Sequence, residues 1–173
     1  MGLLQFDPLE VAGRALSFGG MALLVGLAFF TLFIRVPESA AELRRERHLV
    51  IAGGLALVAG SALLILASGT GIPGRLLALL GMRALAGVGA LALLALPTRV
   101  ASGEARREGF AFLGLAAGLT ATLVSHAAAG GDMGDVGIDY LHVIAISIWL
   151  GGVVAFSYVA MPTSDRPVAL MTP

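Results

Sequence analysis

The uncharged apolar run Ala15–Ile34 sets the terms for the rest of the chain. Arg14 closes it on one side and Arg35 on the other. As a helix rising about 1.5 Å per residue it is about 30 Å long, which matches a bilayer's hydrocarbon core. A cleaved signal peptide is the rival reading, because Ser39-Ala40-Ala41 offers small residues for cleavage. The run exceeds a usual signal-peptide core, and no basic segment precedes Arg14, so a membrane-spanning helix is expected. Comparable runs recur along the chain. They predict helices at about 10–35, 48–67, 76–96, 109–128 and 140–161. The sequence is 58% hydrophobic and 13% charged. Soluble domains are nearer half apolar and about a quarter charged. The expected fold is therefore an all-α, polytopic transmembrane bundle of about five helices in one domain, residues 1–161. The tail 162–173, PTSDRPVALMTP, is expected to be a flexible cytoplasmic extension.

Orientation follows from arginine. The connector after the first helix, PESAAELRRER, is Arg-rich and reads as a short solvated helix at the membrane surface. The connector after the third helix carries Arg99, Arg106 and Arg107. The turn after the second helix, SGTGIPGR, has only Arg75, and the loop after the fourth has no base. Basic connectors stay on the cytoplasmic side, which puts the N-terminus and the loop after helix four outside and the C-terminus inside.

Several function classes are excluded at this level. Net charge is zero, which argues against a nucleic-acid partner. Cysteine is absent, so disulfides, CxxC metal sites and thiol catalysis are out. No HExxH, GxSxG, P-loop or GxGxxG motif occurs, and an enzyme is not expected.

The polar residues gather around one stretch, SHAAAGGDMGDVGIDYLHVIAISIWLGG, residues 125–152. His126 ends the fourth apolar run, and His142 lies near the start of the fifth. Between them an acidic loop is expected, with Asp132, Met133, Asp135 and Asp139. A short loop makes helices four and five antiparallel neighbours, so the two histidines can share one depth. Asp139 precedes His142 by three residues, on one helix face, and can orient its imidazole or join it as a ligand. Histidine with carboxylate suits Cu(II) or Zn(II), and methionine tips the choice toward copper. Asp132 and Asp135 individually read better as solvated turn residues. Trp149 follows His142 by two turns, near mid-helix, and is expected to pack against another helix or a ligand. Arg83 lies inside the third apolar run at a depth of roughly 10 Å. A charge there must be paired, snorkel to the surface, or hold an anionic group such as a porphyrin carboxylate. Asp139 and Asp132 are its candidate partners. Glu10 and Arg14 should form a surface ion pair. Glycines, among them Gly53, Gly54, Gly60, Gly87, Gly89, Gly114 and Gly118, supply flat surface for helix packing.

The series Ser125-His126, Asp139-xx-His142 and Trp149-Leu150-Gly151-Gly152 resembles the CopD family of copper resistance membrane proteins. In that family a helix ends near a His, and the next begins near a His and runs to Trp-x-Gly-Gly. Arg83 resembles an Arg usual in the family's third helix. The likeness is good over helices three to five and general over the first two. CopD-type proteins usually continue with further helices past this point. HemJ-type protoporphyrinogen oxidases, which bind haem, share a similar His…Trp-x-Gly pattern.

The resemblance implies copper transport or resistance in a bacterial inner membrane. His126, His142, Met133 and Asp139 would be the metal ligands, supported by Arg83 and Trp149. Expected partners are membrane lipid, the copper ion, a periplasmic copper-binding protein and a second copy of the chain. The alternatives are a haem-binding redox protein that uses haem b and the same histidines, and a structural membrane subunit.

Overall fold

A computed structural model describes residues 7–124 and 132–161, and the statements below concern those residues. They form five α-helices and no strand. These are α1 (Pro8–Phe29), α2 (Ala40–Ser68), α3 (Gly74–Ala95), α4 (Gly103–Thr122) and α5 (Met133–Ala155). Helices α1 and α5 each close in a π turn, Phe30–Ile34 and Phe156–Ala160. Helices α1, α2, α3 and α5 are long and apolar enough to cross a membrane. The protein is an all-α bundle and an integral membrane protein.

Local chemistry explains the helix starts, and three lie upstream of the sequence expectation. Ser39 opens α2 with a capping box. Its Oγ accepts from Glu42 N at 3.1 Å, and Glu42 Oε2 accepts from Ser39 N at 3.0 Å. The basic connector is therefore the first two turns of α2, not a separate surface helix. Arg35 bonds the same Glu42 at 2.8 Å and closes the turn from α1. Ser102 caps α4 by accepting from Ala105 N at 3.2 Å. That pulls Glu104, Arg106, Arg107 and Glu108 into the helix, and its apolar part starts only at Gly109. Asp132 caps α5 by accepting from Gly134 N at 2.7 Å. The expected acidic loop is thus largely helix: Met133, Asp135 and Asp139 all lie on α5. Helix α2 ends at Gly69, whose φ of 64° suits a residue without a Cβ.

The bundle is built around α1. Its most apolar stretch is 61% buried, against at most 39% in the other three spans. It packs on α2, α4 and α5, while α3 packs on α2 and α4. Helix α5 lies mainly on α1 and only lightly on α4. Glycine sets the closest approaches. A Cβ on Gly20 would stand 2.6 Å from Gly53 O, one on Gly60 2.7 Å from Gly13 O, and one on Gly87 2.6 Å from Gly54 O. A Cβ on Gly151 would collide with Ala22 O, and one on Gly26 with the Gly151 backbone. Lipid tails are as apolar as leucine, so such close contact is a main source of helix association in a membrane.

Both arginine-rich connectors lie at one end of the bundle. At this end Arg107 bonds Glu46 through two parallel contacts, Nε to Oε1 at 2.9 Å and Nη2 to Oε2 at 3.1 Å. Phe30 and Phe156 from the two π turns meet edge to face, with centroids 6.4 Å apart. The opposite end carries Asp7, Glu10, Asp132, Asp135 and Asp139 and is the acidic end.

The natural absence of cysteine makes orientation directly measurable. Gly71 and Arg99 are exposed, in the turns at opposite ends. Gly71→Cys should react with a membrane-impermeant maleimide on intact cells, and Arg99→Cys only after permeabilisation. The reverse pattern would overturn the orientation read from the arginines.

Candidate functional site

A cavity of about 430 Å³ enters the bundle from the acidic end, and all five helices line it. Along α1 its wall is the stripe Glu10, Arg14, Ser17, Phe18 and Met21. These positions share one helix face. Ala67 and Ser68 of α2, Leu76 of α3, Val124 after α4 and Asp139 of α5 stand around the upper part. Ser17, Met21, Leu80, Arg83 and Ala117 form a buried floor.

Arg83 dominates the floor. It lies nine residues beyond Gly74, about 14 Å along the helix axis, and is 6% exposed. Its Nε donates to Thr120 Oγ1 at 3.2 Å. The Thr120 hydroxyl donates in turn to Ala117 O at 2.7 Å. No carboxylate among the described residues pairs with Arg83. Of its two expected partners, Asp132 is occupied as the α5 cap and Asp139 shares the cavity without forming an ion pair. Glu10 bonds Arg14 at the rim, as expected from their spacing.

Ser17 is the polar residue that sequence reasoning missed. Its Oγ is buried and has no hydrogen-bond partner. Serines and threonines inside helices usually bond back to a carbonyl three or four residues earlier. Thr31, Ser61, Ser68 and Ser147 do so in this chain. The available signal was its spacing: Ser17 sits seven residues after Glu10 and three after Arg14, on the stripe that proves to line the cavity.

The expected metal ligands are only partly brought together. Ser125 and His126 lie outside the described residues. His142 is exposed and is not among the lining residues. Asp139, three residues earlier, is half-buried and does line the cavity. Met133 is 76% exposed at the first position of α5. Nine residues separate it from His142, which means about 13.5 Å of rise and opposite helix faces, so the two cannot hold one ion from this helix. Among the described residues no group of three or more His, Asp or Glu side chains is arranged to hold a metal. Trp149 is 70% exposed, on one stripe with His142, and does not pack inside the bundle as expected. The buried face of α5 is Val136, Val143, Ser147, Gly151 and Ala155, and Trp149 falls off it. Tyr140, next to Asp139, donates to Leu115 O at 3.2 Å and ties α5 to α4.

Comparison with protein-family models, curated proteins and solved structures returns no match. The described residues define a membrane protein of five helices, with a largely apolar cavity that is entered from the acidic end and has a buried arginine on its floor.

Proposed function

We propose that this is a copper-handling protein of a bacterial inner membrane, which receives copper on the outer side and passes it toward the cavity. The observation that carries the reading is the position of Asp139. It stands on the cavity wall and precedes His142 by three residues on the same helix. A metal captured at the outer surface by His142 and His126 is then one helical step from the cavity within the bundle. Neutral imidazole and carboxylate form a donor set suited to Cu(II). Copper is cargo here, and no catalytic step is assigned. Lipid covers the inner part of the exposed stripe of α5, at Trp149, and His142 stands two turns nearer the acidic end. A periplasmic copper-binding protein is the source or recipient on the outer side.

Copper stoichiometry and affinity of the purified chain test this. His142→Ala and His126→Ala should each weaken binding, and Asp139→Asn should weaken it by roughly ten- to a hundredfold through loss of imidazole orientation. Two ligands on one ion are non-additive, so the double histidine variant should lose little beyond the worse single. Unchanged copper binding in the double variant would sink the reading. A haem reading is favoured by one observation: Arg83 is a buried guanidinium without a carboxylate partner among the described residues, suited to a porphyrin propionate. A Soret band in the purified protein would select it. Neither copper nor haem would leave a structural subunit.

A further inference from the structure

We propose that the floor of the cavity is an anion subsite, in which Arg83 holds the carboxylate or small oxyanion of a ligand entering from the acidic end. It does not depend on the identity of the cargo.

Three observations carry it. First, Arg83 is buried and spends one donor, Nε, on Thr120. A guanidinium has five N–H donors, and its planar fork matches two oxygens of one anion. Neither terminal nitrogen bonds a described residue, and neither is a sealed, unsatisfied atom, so both have access to the cavity that Arg83 lines. Second, the Ser17 hydroxyl on the same floor is sealed against Gly60 of α2, so it does not occupy the guanidinium's free donors. Third, the cavity's charges leave Arg83 uncompensated. Glu10 is taken by Arg14, and Asp139 makes no ion pair with Arg83. A buried charge without a partner is costly, and a bound anion offsets that cost.

The same geometry limits the ligand. The volume of about 430 Å³ lies at the small end of ligand pockets. Asp139 puts one negative charge in the same space, which disfavours polyanions and favours a singly charged carboxylate or oxyanion. A solute and a lipid phosphate share this chemistry.

Titration calorimetry of the full chain in non-ionic detergent, at constant ionic strength and without copper, tests the subsite with acetate and inorganic phosphate as probes. Wild type should bind acetate. Arg83→Gln should weaken it at least tenfold, and Arg83→Lys should fall between, because charge remains and the fork is lost. Asp139→Asn should tighten it, since a negative neighbour is removed. That sign separates the subsite from a structural role in which Arg83 is steadied by Asp139, where the same change would loosen the bundle and weaken binding. Nanodiscs with and without phosphatidylglycerol distinguish the sources: lipid occupancy shows as acetate binding that weakens with the anionic lipid. The proposal is overturned if wild type binds neither probe, or if Arg83→Gln folds and titrates like wild type. If Arg83→Gln does not fold, unchanged acetate affinity in Asp139→Asn overturns it instead. Because copper is absent throughout, failure here leaves the copper reading untouched, and the reverse also holds.

Discussion

Gly151→Val should prevent the bundle from assembling, whereas Gly152→Ala, one residue away, should leave it intact. The two glycines are adjacent on α5, but only one faces α1. A Cβ on Gly151 would be driven into Ala22 O, which is backbone and cannot rotate aside. A Cβ on Gly152 would meet nothing within 4 Å. Overpacking a core typically costs about 1–3 kcal/mol, and a clash with backbone belongs at or beyond the top of that range. Helix α1 is also the hub, so separating α5 from it exposes the centre of the molecule. Gly26→Leu should behave like Gly151→Val, because Gly26 faces Gly151 across the same contact. For Gly152→Ala a change within about 1 kcal/mol is expected, with helix propensity favouring alanine. Thermal unfolding in detergent, followed by loss of monodispersity, reads the difference. Equal midpoints for Gly151→Val and wild type would show that the α1–α5 contact is not close in the membrane.

The second large effect is expected at the arginine-rich end. Glu46 and Arg107 are each 11% exposed and bond through two parallel contacts. They join the first turns of α2 to the first turns of α4, helices that have few other ties at that end. Removing one partner of a buried pair strands the other, which costs roughly 3–5 kcal/mol. Arg107→Ala should therefore destabilise strongly, and so should Glu46→Ala. The double variant Glu46→Ala with Arg107→Ala should recover much of the loss, because no charge is left behind. Denaturation in mixed micelles for the two singles and the double measures the coupling. If the singles add to give the double, the pair is solvent-screened and holds nothing together. At the surface pair Glu10–Arg14, with side chains 46% and 70% exposed, the same substitutions should change stability by no more than about 1 kcal/mol.

The cap residues show how much of the secondary structure was legible. Ser39-Ala40-Ala41-Glu42 is a capping-box sequence, and Ser102 and Asp132 are ordinary N-caps, so all three helix starts were encoded locally. Reading the starts from hydropathy alone placed them up to eight residues too far downstream, because helix formation does not wait for the apolar region. The site was partly legible in the same way. Arg83 stood out as a charge within a span, and it does line a cavity. Ser17 did not stand out, because a lone serine in an apolar run looks like any back-bonded one. Trp149 was misplaced because periodicity shows that it shares a stripe with His142 but not which stripe faces protein.

The sequence by itself determined the helical class, four of the five expected spans and the two chemically distinct ends. Each is a property of a local window, whether apolar length, cap chemistry or the count of arginines between runs. Only the tertiary structure decided that α1 is the hub, that Gly151 and not Gly152 meets it, and that Arg83 shares a cavity with Ser17 and Asp139 and not with His142. The physical reason is the solvent. In water, hydrophobicity marks the buried face, whereas in a bilayer an apolar surface is equally satisfied by lipid or by another helix. The choice of which face is buried then passes to steric fit and to the few polar groups that must find one another, and both depend on residues far apart in the chain.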